Sequence, residues 1–132
     1  MTDMIKPILL VEDNPSDQKL MKRAFKKSKL TNPMITVSDG EQALDYLFSK
    51  DESKLLPVLV LLDLKLPKID GLEVLEQIRH NDRTRFLPVV ILTSSKEQEY
   101  LVRSYALVFT SSVLTHVDFN QFVEAIEHIG LY

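Results

Sequence analysis

The sequence predicts an α/β fold: an open, doubly wound sheet of five parallel strands with helices on both faces. Three observations predict it. Short apolar runs alternate with helical patterns five times along the chain. The clearest run, Val58 to Leu62, is apolar on consecutive residues, as a strand covered on both faces must be. The length, 132 residues with 45% hydrophobic and 27% charged, suits one globular domain spanning 1–132.

The elements follow in order. Ile8 to Val11 reads as a buried strand. Asn14-Pro15 starts a helix, because proline is tolerated at the first helical position. Leu20, Met21, Ala24 and Phe25 recur at helical spacing to about Lys29, and Thr31-Asn32-Pro33 ends the pattern. Met34 to Val37 predicts a second strand and Asp39-Gly40 a turn. Ala43, Leu44, Leu47 and Phe48 predict a short helix, and the polar stretch from Lys50 to Lys54 a loop. After the third strand, Pro67 and Asp70-Gly71 bracket a loop, and Leu72, Val74, Leu75 and Ile78 mark a third helix. Pro88 precedes a fourth strand, Val89 to Leu92. Leu101, Val102, Tyr105 and Ala106 predict a fourth helix, Ser111 to Leu114 a weaker fifth strand. Phe119, Phe122, Val123, Ile126 and Ile129 form the stripe of a last helix.

Composition narrows the function. Sixteen Lys and Arg against 19 Asp and Glu leave a net charge of −3, which gives no basic footprint for nucleic acid. With no cysteine, disulfides, thiol catalysis and Cys-based metal sites are excluded. The longest apolar run, Leu55 to Leu62, contains Pro57 and is far short of the roughly 18–20 residues a membrane span needs. Met1 begins no signal-peptide pattern, so a cytoplasmic location is expected. His80, His116 and His128 show no ligand spacing. Tyr46, Tyr100, Tyr105 and Tyr132 read as half-buried surface rings.

In an open parallel sheet the site lies at the carboxyl ends of the strands. The first strand ends in Glu12-Asp13, the third in Asp63, the fourth in Thr93-Ser94. Any one acidic residue there is commonly a helix cap or a solvated loop residue. Three carboxylates converging with hydroxyls beside them repel one another, and a hard dication is the usual remedy. A carboxylate beside magnesium can also accept a phosphoryl group.

At these residues the chain resembles the receiver domain of two-component response regulators. The resemblance covers nearly the whole chain. It rests on Ile8-Leu9-Leu10-Val11-Glu12-Asp13-Asn14, on Leu62-Asp63-Leu64-Lys65-Leu66-Pro67, on Asp70-Gly71 and on Leu92-Thr93-Ser94. Softer features are Glu-Asp-Asn-Pro-Ser-Asp, the insertion at 50–54 and the lack of an output domain. By these the chain resembles the small single-domain regulators of cyanobacterial phytochrome histidine kinases. The resemblance implies a flavodoxin-like (β/α)5 sheet with strand order 2-1-3-4-5. It implies that Asp63 is the phosphoacceptor, that Asp13 ligates Mg2+ directly, and that Glu12 does so through or by orienting water. It gives Lys65 a further ligand through its backbone carbonyl, and Thr93 a hydrogen bond to the phosphoryl group. The implied partners are a sensor histidine kinase and a downstream protein.

One segment departs from that pattern. The family lysine at the end of the fifth strand and the proline after it are replaced by Thr115 and His116. The aromatic switch position is Ser112, and Val108-Phe109 stands where small residues are usual. Thr115 can donate a hydrogen bond but brings no charge. Two readings follow: a regulator that still takes phosphate on Asp63, and a pseudo-receiver that docks or dimerises without phosphorylation. From Arg103 to Asp118 no residue between is formally charged if His116 is neutral. Natural sheet edges are usually guarded by charge or proline, so this predicts a homodimer through the fourth helix, fifth strand and last helix.

Lys19, Lys22, Arg23, Lys26, Lys27 and Lys29 make the first helix basic, either as a solvated face or as a rim for an acidic partner. The resemblance places kinase docking there. Two classes sharing the architecture fit less well. Haloacid-dehalogenase-type phosphatases need a second acid two residues after the nucleophile, where this chain has Lys65. A flavodoxin-like electron carrier needs a hydroxyl-rich phosphate loop where Glu12-Asp13 would repel the flavin phosphate.

Overall fold

A computed structural model describes residues 6–26, 31–50, 55–63, 66–93 and 111–115. The elements are β1 (Ile8–Val11), α1 (Pro15–Lys26), β2 (Met34–Val37), α2 (Gly40–Leu47), β3 (Leu59–Asp63), α3 (Gly71–Arg79), β4 (Val89–Thr93) and β5 (Ser111–Thr115). They form one parallel sheet in the order β2-β1-β3-β4-β5, the doubly wound arrangement the sequence predicts. The expected fourth and last helices, the continuation of the first to Lys29 and the polar loop of 51–54 lie outside the described residues.

Consecutive apolar residues in β1 and β3 are explained by two separate cores. Ile8, Leu10, Leu59, Leu61 and Val90 face Met21 and Phe25 of α1. Leu9, Val11, Val60, Leu62, Val89 and Ile91 face Ala43 and Leu47 of α2 and Val74, Leu75 and Ile78 of α3. Side chains alternate across a strand, so a strand buried on both faces must be apolar at every position. Among the described strands β2 has one neighbour, β1, and its four residues are all half-buried.

Boundaries move by a residue, and each move has a local cause. β3 starts at Leu59 rather than Val58 and runs on to Asp63, whose partner in register is Leu92. Asp39, expected in a turn, is the N-cap of α2: its carboxylate accepts from the Gln42 amide at 2.8 Å. Asp70 caps α3 the same way, accepting from Glu73 at 3.0 Å. An Asp followed three residues on by Gln or Glu is the capping pattern, and it outranks the turn signal of the glycine between. Gly40 is required for a different reason. A Cβ there would stand 2.1 Å from the Ile69 carbonyl oxygen.

Among the described residues, no helix is long and apolar enough to cross a membrane.

Candidate functional site

Two short connections build the site. Val11 is the last residue of β1, and Pro15 already opens α1. Asn14 caps that helix: its side-chain oxygen accepts from Ser16 at 2.8 Å and from Asp17 at 3.3 Å. So tight a passage from strand to helix leaves Glu12 and Asp13 at the carboxyl edge of the sheet. The Glu12 amide extends the pairing with β2 by donating to Val37 at 3.1 Å. Asp63 arrives from the adjacent strand β3.

The carboxylates converge. One oxygen each of Glu12, Asp13 and Asp63 lie within 4.8 Å of one another. Glu12 is 3% exposed, Asp63 half-buried and Asp13 exposed. Burial comes first among the causes that push the Glu12 carboxyl up to about 8. A side-chain hydrogen bond to Asp63 comes next, then the Asp63 charge; the Asp17 charge adds a smaller push. The Asn14 amide, which donates to Glu12 Oε2 at 3.3 Å, opposes them. Without a cation, then, the cluster relieves its repulsion by keeping a proton on Glu12.

Three oxygen donors from carboxylates, one of them exposed, suit a hard dication that retains several waters. That donor set fits Mg2+. When bound, such an ion neutralises charge that builds on transferring phosphoryl oxygens.

Each residue singled out in the sequence has a definite place. Glu12, Asp13 and Asp63 are brought together. Thr93 ends β4, and Thr115 ends β5 as its register partner. Thr93 lies one position beyond Leu92, the partner of Asp63. The hydroxyl-bearing positions therefore occupy the same edge of the sheet as the acids, on the two strands beyond β3. Lys65 and Ser94 lie outside the described residues, as do Val108, Phe109 and His116. Ser112 is the register partner of Val90.

Sequence reasoning missed the polar chain behind the acids. Gln18 donates through Nε2 to the Glu12 carbonyl oxygen and to Ser38 Oγ. Lys68 pairs with Asp39 at 3.6 Å and Glu41 at 3.8 Å. The capping pattern at Asp39-x-x-Gln42 was the signal available for this region.

Comparison with known proteins supplies the context. The family model described as "Response regulator receiver domain" matches residues 8–127. The probable methanogenesis regulatory protein FilR2 of Methanothrix harundinacea (strain 6Ac) is 41% identical over 126 residues, 95% of this chain and 81% of that one. Response regulator Rcp1 of Synechocystis sp. (strain PCC 6803) is 40% identical over 104 residues, 77% of this chain and 71% of that one. A structure of the Mn2+-bound form of Rcp1 matches with a TM-score of 0.82 at 37% identity, covering 96% of this chain and 94% of that one. The structure of the bacteriophytochrome response regulator AtBRR matches with a TM-score of 0.83 at 46% identity, covering 98% of this chain and 96% of that one.

Proposed function

This chain belongs to the response regulator receiver domain family, and on that premise we propose that it accepts a phosphoryl group from a sensor histidine kinase of phytochrome type onto Asp63. The observation that carries the proposal is the carboxylate triad at the ends of β1 and β3. The likeness to a bacteriophytochrome response regulator supports the kind of kinase, and the Mn2+-bound relative supports a dication at the acids.

The chemistry needs little beyond placement. A carboxylate oxygen of Asp63 attacks the phosphorus of a phosphohistidine, forming an acyl phosphate as the phosphorus–nitrogen bond breaks. The bond's electron pair returns to the ring nitrogen, and a proton carried on the other ring nitrogen of the phosphohistidine lets the imidazole leave as the neutral ring. Glu12, Asp13 and Asp63, with the Lys65 carbonyl, would hold Mg2+. Thr93 donates its hydroxyl to a phosphoryl oxygen and registers the new anion. Thr115 replaces the lysine of the family and contributes at most a second neutral hydrogen bond. The protein is at most the catalyst of its own modification. Its output is protein–protein contact made by the receiver domain itself, in the cytoplasm, with neither nucleic acid nor membrane as partner.

The test is intact mass after incubation with acetyl phosphate, with and without Mg2+. A gain of one phosphoryl group that needs Mg2+ and is lost in Asp63→Asn is expected.

One observation favours a second reading. Thr115, at the position of the missing lysine, is the register neighbour of Thr93, so the hydroxyl side of the site gains no charge from β5. A domain that docks without phosphorylation would bind its partner equally well as Asp63→Asn. β5 is also an outer strand of the described sheet. With the uncharged stretch around it, this supports a homodimer through the fourth helix, β5 and the last helix. A dimeric mass in sedimentation at tens of micromolar is expected; a strictly monomeric one refutes it.

A further inference from the structure

The acid-bearing turn after β1 and the residues 66–70 that lead into α3 lean on one shared support, the junction between β2 and α2. On one side, Gln18 reaches from α1 to the Glu12 carbonyl oxygen and, at 3.4 Å, to Ser38 Oγ. The Glu12 amide is itself bonded to the Val37 carbonyl at 3.1 Å. Ser38 is held in turn, since its amide donates to Gln42 Oε1 at 2.8 Å while the Gln42 amide donates to Asp39 at 2.8 Å. On the other side, residues 66–70, which lead into α3, are seated on the first residues of α2. The Ile69 carbonyl sits so close to Gly40 that a Cβ would lie 2.1 Å from its oxygen and 2.9 Å from its carbon. Lys68 spans the same gap to Asp39 and Glu41 at 3.6 and 3.8 Å. Lys68 holds a φ of 67° there, and the Ile69 amide closes the turn on the Pro67 carbonyl at 2.8 Å. A lysine in the left-handed region is uncommon, and surrounding contacts must hold it there.

The arrangement has a physical purpose. The β1–β3 ladder ends at the Val11–Leu62 pair, so Glu12 and Asp13 lie beyond it. Glu12 and Asp13 therefore need support from outside that ladder to keep their carboxylates near Asp63. We infer that the β2–α2 junction is the brace that holds the Glu12–Asp13 turn, and the approach to α3 beyond Asp63, in place for a dication, with Gln18 and Gly40 as its positioning residues. The inference rests on the reading that Glu12, Asp13 and Asp63 hold Mg2+. It assigns no ligand atom to either residue.

The test is calorimetric titration of Mg2+ into the unaltered protein, Gln18→Met and Gly40→Ala, with amide hydrogen exchange on each protein before metal is added. Gln18→Met keeps the length of the side chain and removes the donor. Several-fold weaker Mg2+ binding is expected, with faster metal-free exchange of the Glu12 amide. Gly40→Ala drives a methyl group against backbone, so a larger loss of affinity and faster exchange at Ile69 are expected. Should Gly40→Ala fail to fold, Gln18→Met decides. Unchanged affinity in Gln18→Met, or weaker affinity with unchanged exchange at Glu12, overturns the inference while leaving the dication site standing. No Mg2+ binding by the unaltered protein overturns both.

Discussion

The carboxyl edge of the sheet has two unlike halves. Across β1 and β3 it is all charge, with three carboxylates whose oxygens lie within 4.8 Å. Across β4 and β5 the described residues end in the paired positions Thr93 and Thr115, neither of which is a charged residue. The first half holds electrostatic tension that a proton or a dication must relieve. The second can offer hydrogen bonds to an anion but cannot neutralise it. In a receiver domain with the family lysine, charge would stand on both sides of the phosphoryl group. On the proposed function, accepting phosphate and responding to it would fall to separate halves, and the two can be tested apart.

The largest effect should come from removing the acceptor in the charged half. Asp63→Asn abolishes phosphoryl gain from acetyl phosphate, read as intact mass; any residual Mg2+-dependent gain would mean that another residue is the acceptor. Next is the restoration of charge to the other half. Thr115→Lys is expected to speed labelling about tenfold, equal to roughly 1.4 kcal/mol of transition-state stabilisation. Rates unchanged by the lysine would show that the β5 side takes no part in transfer, and the comparison would lose its meaning.

A third measurement concerns the tension itself. Glu12 binds its proton more tightly folded, near 8, than at its ordinary 4.5. Between those values the native state retains a proton that the unfolded chain releases. The stability that this proton contributes is therefore fully present below pH 4.5 and is lost as pH rises toward 8. Thermal midpoints across that range should show the decline, and Glu12→Gln or saturating Mg2+ should flatten it. A midpoint that instead rose with pH from 5 to 8 and was indifferent to Glu12→Gln would contradict the raised Glu12 carboxyl.

The smallest effect belongs to the turn after β3. Lys68→Gly relieves a left-handed backbone and gives up ion pairs from a lysine whose side chain is 59% exposed. Such exposed pairs contribute at most about 1 kcal/mol, and the backbone relief is about the same size. A shift in unfolding free energy within about 1 kcal/mol is expected from urea titration. A loss of several kcal/mol would show that Lys68 is anchored by more than these pairs.

The architecture was legible because burial leaves a local trace. Ile8 to Val11 and Val58 to Leu62 are apolar at every position, and that pattern has few explanations besides a strand covered twice. Asp63 could be singled out because it ends such a run. The N-caps were less legible, since Asp39-Gly40 carries a turn signal as well as a capping one.

What the sequence by itself determined is the described strands and the first three helices, the parallel arrangement of the sheet and the identity of the acids at the strand ends. Each of these depends on residues adjacent in the chain or recurring at a fixed spacing. Tertiary structure alone decided that Glu12 is buried beside Asp63 and its carboxyl pushed up, for those residues are 51 positions apart and meet only because β1 pairs with β3. It alone decided that Gly40 must lack a side chain, because the atom that excludes one belongs to Ile69 in another turn. Periodicity reports which way a residue faces; it carries no information about what the fold has placed opposite.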